Sequence, residues 1–356
     1  MQKVYKIFVI NPGSISTKVA YFENSKKVFV EKVYHPADEL KKFKKIIDQY
    51  EFRLKMIKNF IKEKGLKEED FDATVGRGGL LKPIEGGTYI VNEKMLEDLR
   101  SGIYGEHASN LGAILAYELM KPFNKPAFIV DPVVVDEMEE IAKITGIPEI
   151  KRKSIFHALN QKAVARKVAE ELGKRYEECN FVVVHLGGGI SIGAHRKGKV
   201  VDVNNALNGD GPFTPERAGS IPAWDLIKYS KNYTDEEMKK KLAGKGGIVA
   251  HLGTNNMKEV EKRIKNGDKK AEFIFKAMAY NVAKWIGMMA VVLKGKIDAI
   301  ILTGGLAYCE LFINWVKELI SFLGPIRIVP GEFEMEALAE GALRVLKGEE
   351  KAKVYK

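Results

Sequence analysis

Three short stretches carry residue types suited to holding phosphate. Residues 11–18 read NPGSISTK, 185–191 read HLGGGIS, and 302–307 read LTGGLA. Backbone capture of phosphate needs N–H groups converging on a concavity, and turns rich in Gly and Ser supply them because little side-chain bulk blocks the approach. The first stretch adds donors on Asn11, Ser14, Ser16 and Lys18, and the second opens its main chain at Gly187, Gly188 and Gly189. In the third, Gly304 and Gly305 follow Thr303 and would let a nucleoside lie close to the backbone. NPGSISTK is not a P-loop, because its Ser and Thr precede the Lys and no second Gly stands before it. Singly, each turn is weak evidence, since tight turns use Gly for structural reasons alone.

The frame around the turns carries more weight. Residues 5–33 alternate β-rich runs with turn residues as strand, turn, strand, turn, strand, and residues 181–203 do the same. Laying INPGSIS over HLGGGIS pairs Gly13 with Gly188, Ile15 with Ile190 and Ser16 with Ser191. The first phosphate turn therefore sits in a β-hairpin, not at a helix N-terminus. After each opening the pattern changes: helix is expected over 35–64, 92–120, 235–242 and 256–293, and strand over 71–75, 127–131, 298–303 and 326–329. Three antiparallel strands followed by parallel ones with crossover helices predict the α/β class, with two duplicated domains, each built on a mixed five-stranded sheet. The boundary is expected at 146–151, giving domains 1–150 and 151–334, with the C-terminal segment 335–356 as a candidate to return to the first. A nucleotide is expected in the central cleft between the halves, gripped from both sides and shielded from water.

Composition narrows the class. A chain of 356 residues with 46% hydrophobic content is long enough for two packed domains. Cys179 and Cys309 are the only cysteines, too few for a disulfide framework, which points to a reducing compartment and makes the cytoplasm the expected location. No apolar run is long enough to cross a bilayer, so no membrane partner is expected. The net charge of +11 sits largely on helices where Lys interleaves with Glu, and no nucleic-acid signature accompanies it. The same excess would also favour anionic substrates.

Nine ordered blocks then give the sequence a family likeness. Besides INPGSISTK, HLGGGIS and LTGGLA, they are VGRGGLLKPIEGGTY from Val75, GEHASNLGA from Gly105, IVDPVVVDEM from Ile129, FHALNQKAVAR from Phe156, NGDGPFTPERAGSIP from Asn208 and GEFEMEALAEGALRVL from Gly331. Together they resemble the acetate and butyrate kinases, the acetokinase family, within the wider sugar kinase, heat-shock-ATPase and actin-like group, with the butyrate branch most similar. The resemblance implies two ribonuclease H-like domains, a nucleotide-binding C-terminal half and an acyl-binding N-terminal half. It implies reversible, direct in-line transfer of a phosphoryl group from ATP to a short-chain fatty acid, giving ADP and an acyl phosphate. It also implies Mg²⁺ and a homo-oligomer. Arg77 in VGRGG and Arg217 in PERAG match the arginines that serve the carboxylate and the transferring phosphoryl. His157 and His185 match histidines that contact the phosphoryl, and Asp131 matches an aspartate that helps place metal and substrate. Asn11 and a glutamate of GEFEMEAL are the implied metal residues, Glu336 preferred over Glu334.

The chain departs from acetate kinases at three points. Gln161 replaces the second His of FHGTSH, Gly188 replaces the Asn of HLGNG, and Asp131 is followed by Pro132-Val133-Val134-Val135 instead of an aromatic and a His. These differences are taken to enlarge an apolar acyl pocket toward butyrate or a branched acid such as isobutyrate. Acetate or propionate kinase is the alternative, and a sugar kinase of the same wider group stands behind it. Discrimination is expected to be shallow, because each methylene in an apolar pocket is worth about 1–3 kcal/mol.

Overall fold

The computed structural model describes residues 3–356. They divide into two compact units. The first runs to Val135 and is rejoined by Phe333–Lys356; the second is Asp136–Glu332.

In the first unit the opening strands are β1 (Lys6–Pro12), β2 (Ser16–Glu23) and β3 (Lys26–Tyr34), followed by β4 (Ala73–Gly76), β5 (Thr88–Ile90) and β6 (Ala127–Val130). In the second they are β7 (Asn180–Leu186), β8 (Ile190–Arg196) and β9 (Lys199–Val203), followed by β10 (Ala299–Gly304) and β11 (Ile326–Pro330). The last strand, β12 (Lys353–Val354), belongs to the first unit. The sheet of the second unit has the order β11-β10-β7-β8-β9, and that of the first contains the same arrangement as β6-β4-β1-β2-β3. In both, the first strand pairs antiparallel with the second and parallel with the fourth. Both also show a register irregularity in the ladder between second and third strands. Two mixed sheets of matching topology are thus what the repeated pattern encodes.

Burial explains which strand sits where. FVIN-type and VVVHL-type runs lack alternation because helices cover both faces of central parallel strands; residues 7–10 and 181–186 are all buried. The edge strand β3 reads KKVFVEKVY and is largely exposed. Its lysines discourage further strand pairing.

Five expectations differ from what forms; one is that the helix expected over 256–293 is two, Met257–Lys265 and Lys269–Val292. The first sheet has seven strands among the described residues, not five, because β5 adds antiparallel to β6 and β12 adds parallel to β5. Both additions are short, below the length at which alternation is readable. The change of unit comes at Val135/Asp136 instead of 150, because 136–152 is tied into the second unit: Lys162 grips Glu137 at 2.8 Å, the Glu139 N–H donates to Val201 O, and Arg152 pairs with Asp202. The expected 92–120 helix is two, Glu93–Ser101 and Asn110–Met120. It breaks at Gly102, whose φ of 65° makes it a left-handed C-cap. Within 35–64 the main helix is only Tyr50–Glu63. A helix not anticipated, Ala158–Glu171, follows directly on His157.

Candidate active site

In the first unit the chemistry gathers around Arg77 at the end of β4. Gly76, Gly78 and Gly79 flank it because the chain there runs against other elements too closely for a Cβ: one at Gly78 would lie 2.6 Å from Pro132 Cβ, and one at Gly79 2.5 Å from Asn110 Cα. The backbone is thereby pinned between the start of the Asn110–Met120 helix and Pro132, and the Arg77 guanidinium projects from a rigid base. It forms a close ion pair with Glu334. The other oxygen of Glu334 accepts from Asn11 Nδ2 at 2.9 Å. Burial pushes the Glu334 carboxyl up, but the Arg77 charge and hydrogen bond, with Lys18 and Asn11, outweigh it and hold the group below the usual glutamate range. Glu336 lies elsewhere, paired at 2.9 Å with Lys27 on the surface. The structure brings Glu334, not the preferred Glu336, to Asn11. Two residues apart at the start of a helix, the side chains point about 160° apart around the axis.

Asp131 closes β6 in a left-handed conformation, φ 37°, which non-glycine residues adopt at a cost and often at functional sites. It is 1% exposed, and its Oδ1 accepts the Gly87 N–H at 2.7 Å. Val134 and Val135, expected to line an acyl pocket, are buried with the core, while Val133 is half-buried beside Pro132.

The NPGSISTK turn is held from inside by residues that no motif announced. The Arg53 guanidinium, 1% exposed, donates to Gly13 O at 2.8 Å and Ser14 O at 2.9 Å. The His35 N–H donates to Ile15 O at 3.0 Å, and its Nε2 meets Thr17 Oγ1 at 2.8 Å. The turn's carbonyls are thus drawn inward, away from the side that Ser14, Ser16 and Lys18 present to solvent. Burial, then the Arg53 charge, lowers His35 to about 4, and burial lowers Arg53 to about 10. The only sequence signal for Arg53 is a charge on the inner face of an amphipathic helix.

In the second unit HLGGG joins β7 to β8 by a turn of Gly187, Gly188 and Gly189, one residue shorter than the first turn, where Pro12 and Thr17 are the last pair. Residues 208–219 dock on it. Thr214 Oγ1 donates to Gly188 O at 2.5 Å, and the Arg217 guanidinium lies so close over Gly189 that any Cβ there would collide with it. Arg217 also donates to Ala206 O, and burial lowers its pKa from the ordinary arginine value. His157 and His185 stack face to face, ring centres 3.9 Å apart and 11° from parallel. A Cβ on Gly187 would be 3.3 Å from His185 Nε2, so that edge of the ring faces the glycine turn.

Where the parallel strands β7 and β10 end, a cavity of about 460 Å³ is lined by Gly187, Gly188, Gly305, Asn255, Cys309 and Glu332, among others. Ligands of open α/β sheets bind at such carboxyl ends. Gly304 has φ 91° and sits against Leu186 O, while its N–H and C=O exchange bonds with Gly331. Both expected glycine groups of this unit, at 187–189 and 304–305, therefore border one space. The helix-capping segment 255–258 on its far wall went unseen, since Asn-Asn-Met-Lys carries no phosphate-loop signature.

Of the three departures from acetate kinases, two lie in this unit. Gly188 borders the cavity, and Gln161 is completely buried in a polar network. Val133–Val135 lie in the first unit, with Val135 the last residue before the division.

A family model described as the acetokinase family matches residues 138–323, just over half of the chain. The chain belongs to the acetokinase family. Solved structures share the fold: an acetate kinase from Porphyromonas gingivalis at 19% identity and TM-score 0.77, covering 96% of this chain and 100% of that one. A propionate kinase from Francisella tularensis matches at 20% identity and TM-score 0.75, covering 95% and 98%. An acetate kinase from Entamoeba histolytica matches at 16% and 0.74, covering 94% and 98%. This acetokinase is accordingly a carboxylate kinase of α/β fold with two mixed sheets. No helix among its described residues is long and apolar enough to cross a membrane.

Metal fit can be judged from the donors. The described residues of this acetokinase contain no group of three or more His, Cys, Asp or Glu that could hold an ion by itself. Mg²⁺ does not need one, because it keeps several waters and takes oxygen from phosphates plus one or two protein groups. Asn11 Oδ1 and the Glu334 carboxylate are oxygens of that kind, and the two side chains touch, Asn11 Nδ2 donating to Glu334 Oε2 at 2.9 Å.

Proposed function

We propose that this acetokinase is an ATP-dependent butyrate kinase, transferring the γ-phosphoryl group reversibly to butyrate, isobutyrate or a similar short acid. The observation that carries the reading is the Arg77–Glu334 pair: an arginine fixed on a glycine-walled loop is already holding a carboxylate. A substrate carboxylate presents the same planar acceptor to the same fork. Glu334, released from Arg77, would join Asn11 in holding Mg²⁺, whose role is to neutralise phosphate charge.

The remaining assignments follow from what the transfer demands. Attack by a carboxylate oxygen in line with the leaving ADP spreads charge over the equatorial phosphoryl oxygens, and fixed donors must meet it. Arg217, His157 and His185 are assigned that task. The turn at 187–189, Gly304 and Gly305 would take the nucleotide; Asn11, Ser14, Ser16 and Lys18 would take phosphate oxygens on the acyl side. Asp131, strained at the end of its strand, would order Asn11's neighbourhood and the metal's waters. The apolar Pro132 and half-buried Val133 beside the Arg77 loop favour a chain longer than acetate. We take the working form to be a cytoplasmic homo-oligomer.

A second reading keeps the chemistry and shortens the substrate, since the fold relatives named above are acetate and propionate kinases. The deciding experiment is trapping of acyl phosphate with hydroxylamine across acetate, propionate, butyrate, isobutyrate and valerate. Butyrate or isobutyrate should show the highest kcat/KM, falling by roughly tenfold or more at acetate. A maximum at acetate would establish the second reading, and no hydroxamate with any of these acids would end both.

A further inference from the structure

The buried network around Gln161 does more than fill the core of the second unit. Gln161 Nε2 lies 3.0 Å from the Ser191 carbonyl and 2.7 Å from Ser191 Oγ. A main-chain carbonyl can only accept, so the atom facing it is the NH₂ group and the amide orientation is fixed. Gln161 Oε1 must then accept from His195 Nε2 at 2.9 Å, and His195 Nδ1 must accept from the Tyr176 hydroxyl at 2.7 Å. His195 is 0% exposed; burial, then the nearby Lys162 and Arg166 charges, keep it neutral, as this arrangement requires. On the other side, Ser191 Oγ receives the Gln161 amide and, at 3.4 Å, the His157 main-chain N–H. Its acceptor capacity is then used, so its own O–H points along the 2.9 Å contact to His157 Nδ1.

We propose that Tyr176, His195, Gln161 and Ser191 form a one-way hydrogen-bond relay that fixes His157 as the Nδ1-acceptor, Nε2–H tautomer, making these four positioning residues for the phosphoryl contact. His185 is set the same way by a separate anchor. Thr303 Oγ1 donates to Gly331 O, so it accepts from Asn160 Nδ2, and that same NH₂ group donates to His185 Nδ1 at 2.8 Å. Both stacked rings thus carry their proton on Nε2, and at His185 that edge faces the glycine turn. An Nε2–H can donate to a phosphoryl oxygen, whereas the other tautomer would present a lone pair to it and repel. Gly193 leaves the necessary room: a Cβ there would come within 2.7 Å of Gln161 Oε1 and 3.2 Å of His195 Nε2. The replacement of a histidine by Gln161 therefore belongs to tautomer control and not to acyl size.

The kinetic consequence rests on the carboxylate-kinase reading; the tautomer does not. Long-range ¹H–¹⁵N spectra of the intact protein with ¹⁵N-labelled histidine read each ring directly, with His157→Gln used to assign its signals. Wild type should show His157 protonated at Nε2 only. Ser191→Ala and Gln161→Glu should each blur or reverse that pattern and lower kcat by roughly tenfold or more, with KM for ATP and acid within about twofold. Ser191→Thr, which keeps the hydroxyl, should restore the tautomer and most of the rate. Should wild type show His157 protonated at Nδ1, or should Ser191→Ala leave the spectrum unchanged, the relay is refuted whatever the activity. A correct spectrum with no acyl phosphate formed would instead count against the proposed function alone.

Discussion

At the scale of single residues, the pairing of Arg77 with Glu334 makes a claim that kinetics can separate. If Glu334 serves both as stand-in carboxylate and as metal group, Glu334→Gln should raise the Mg²⁺ concentration needed for half-maximal rate and lower kcat by about 10²-fold or more. Glu336→Gln should change neither by more than about twofold, because that side chain merely pairs with Lys27 at the surface. A Mg²⁺ titration of both variants checks this. The motif blocks singled out Arg77, Asp131, His157, His185 and Arg217 as candidates, and the structure stacks His157 on His185 and lays Arg217 over Gly189. The blocks could not decide between Glu334 and Glu336, because the choice depends on which side of a helix start faces Asn11, and a loosely aligned block does not fix rotation. Arg53 and His35 were illegible for another reason: they act through backbone carbonyls, which leave no pattern in residue type.

At the scale of elements, the glycine turns were legible as turns, but what each glycine is needed for was not. Gly304 combines a φ of 91° with a Cβ position that would strike Leu186 O, whereas its neighbour Gly305 would find open space. Gly304→Ala should therefore cost about 2 kcal/mol or more in stability, and Gly305→Ala less than about 1. Urea unfolding of the two variants provides the comparison. A similar loss at Gly305 would mean that the geometry of this turn is not what requires its glycine. The same reasoning explains the short strands. β5 and β12 have three and two residues, so their pairing is decided by neighbours already in place and not by their own sequence. The helix Ala158–Glu171 hid behind its motif: FHALNQ reads as chemistry, and the buried Asn160, Gln161 and Lys162 break the apolar stripe that would have marked it.

One prediction belongs to the element pair formed by the first hairpin and the Tyr50–Glu63 helix. His35 is 4% exposed, its Nδ1 has no partner, and Arg53 stands beside it, so the folded chain resists protonating it until about pH 4. The unfolded chain binds that proton near pH 6.5, hence binds more protons than the native state between those values, and stability falls as pH drops through the window. His35 alone should account for about 2 kcal/mol between pH 7 and 5. In a His35→Gln variant the difference in unfolding free energy between those two pH values should shrink by about that amount. An unchanged difference would show that His35 protonates freely in the folded protein.

At the scale of the whole molecule, duplication was readable because each copy repeats its hairpin, and the expected return of the C-terminal segment to the first unit is what forms, while the residues that anchor it there were not readable. The helix Glu334–Leu346 packs against β1, β4 and β6, and beyond it the chain is anchored by Tyr355. That side chain is 1% exposed; its hydroxyl donates to Asp98 at 2.7 Å, and Asn92 Nδ2 donates to its carbonyl at 2.7 Å. Residues separated by more than 250 positions are thereby joined, and the same returning segment delivers Glu334 to Arg77. Removing the ring should cost about 3–5 kcal/mol, as for other large buried aromatics, and removing only the hydroxyl about 1–3 because Asp98 loses a partner while buried. The loss should fall on one unit. In Tyr355→Ala, hydrogen exchange should accelerate across β5, β6 and the Glu93–Ser101 helix while peptides of β7, β8 and β10 keep their protection. If both sheets lost protection equally, the two units would unfold as one, and the division of the chain at Val135 would have no thermodynamic meaning.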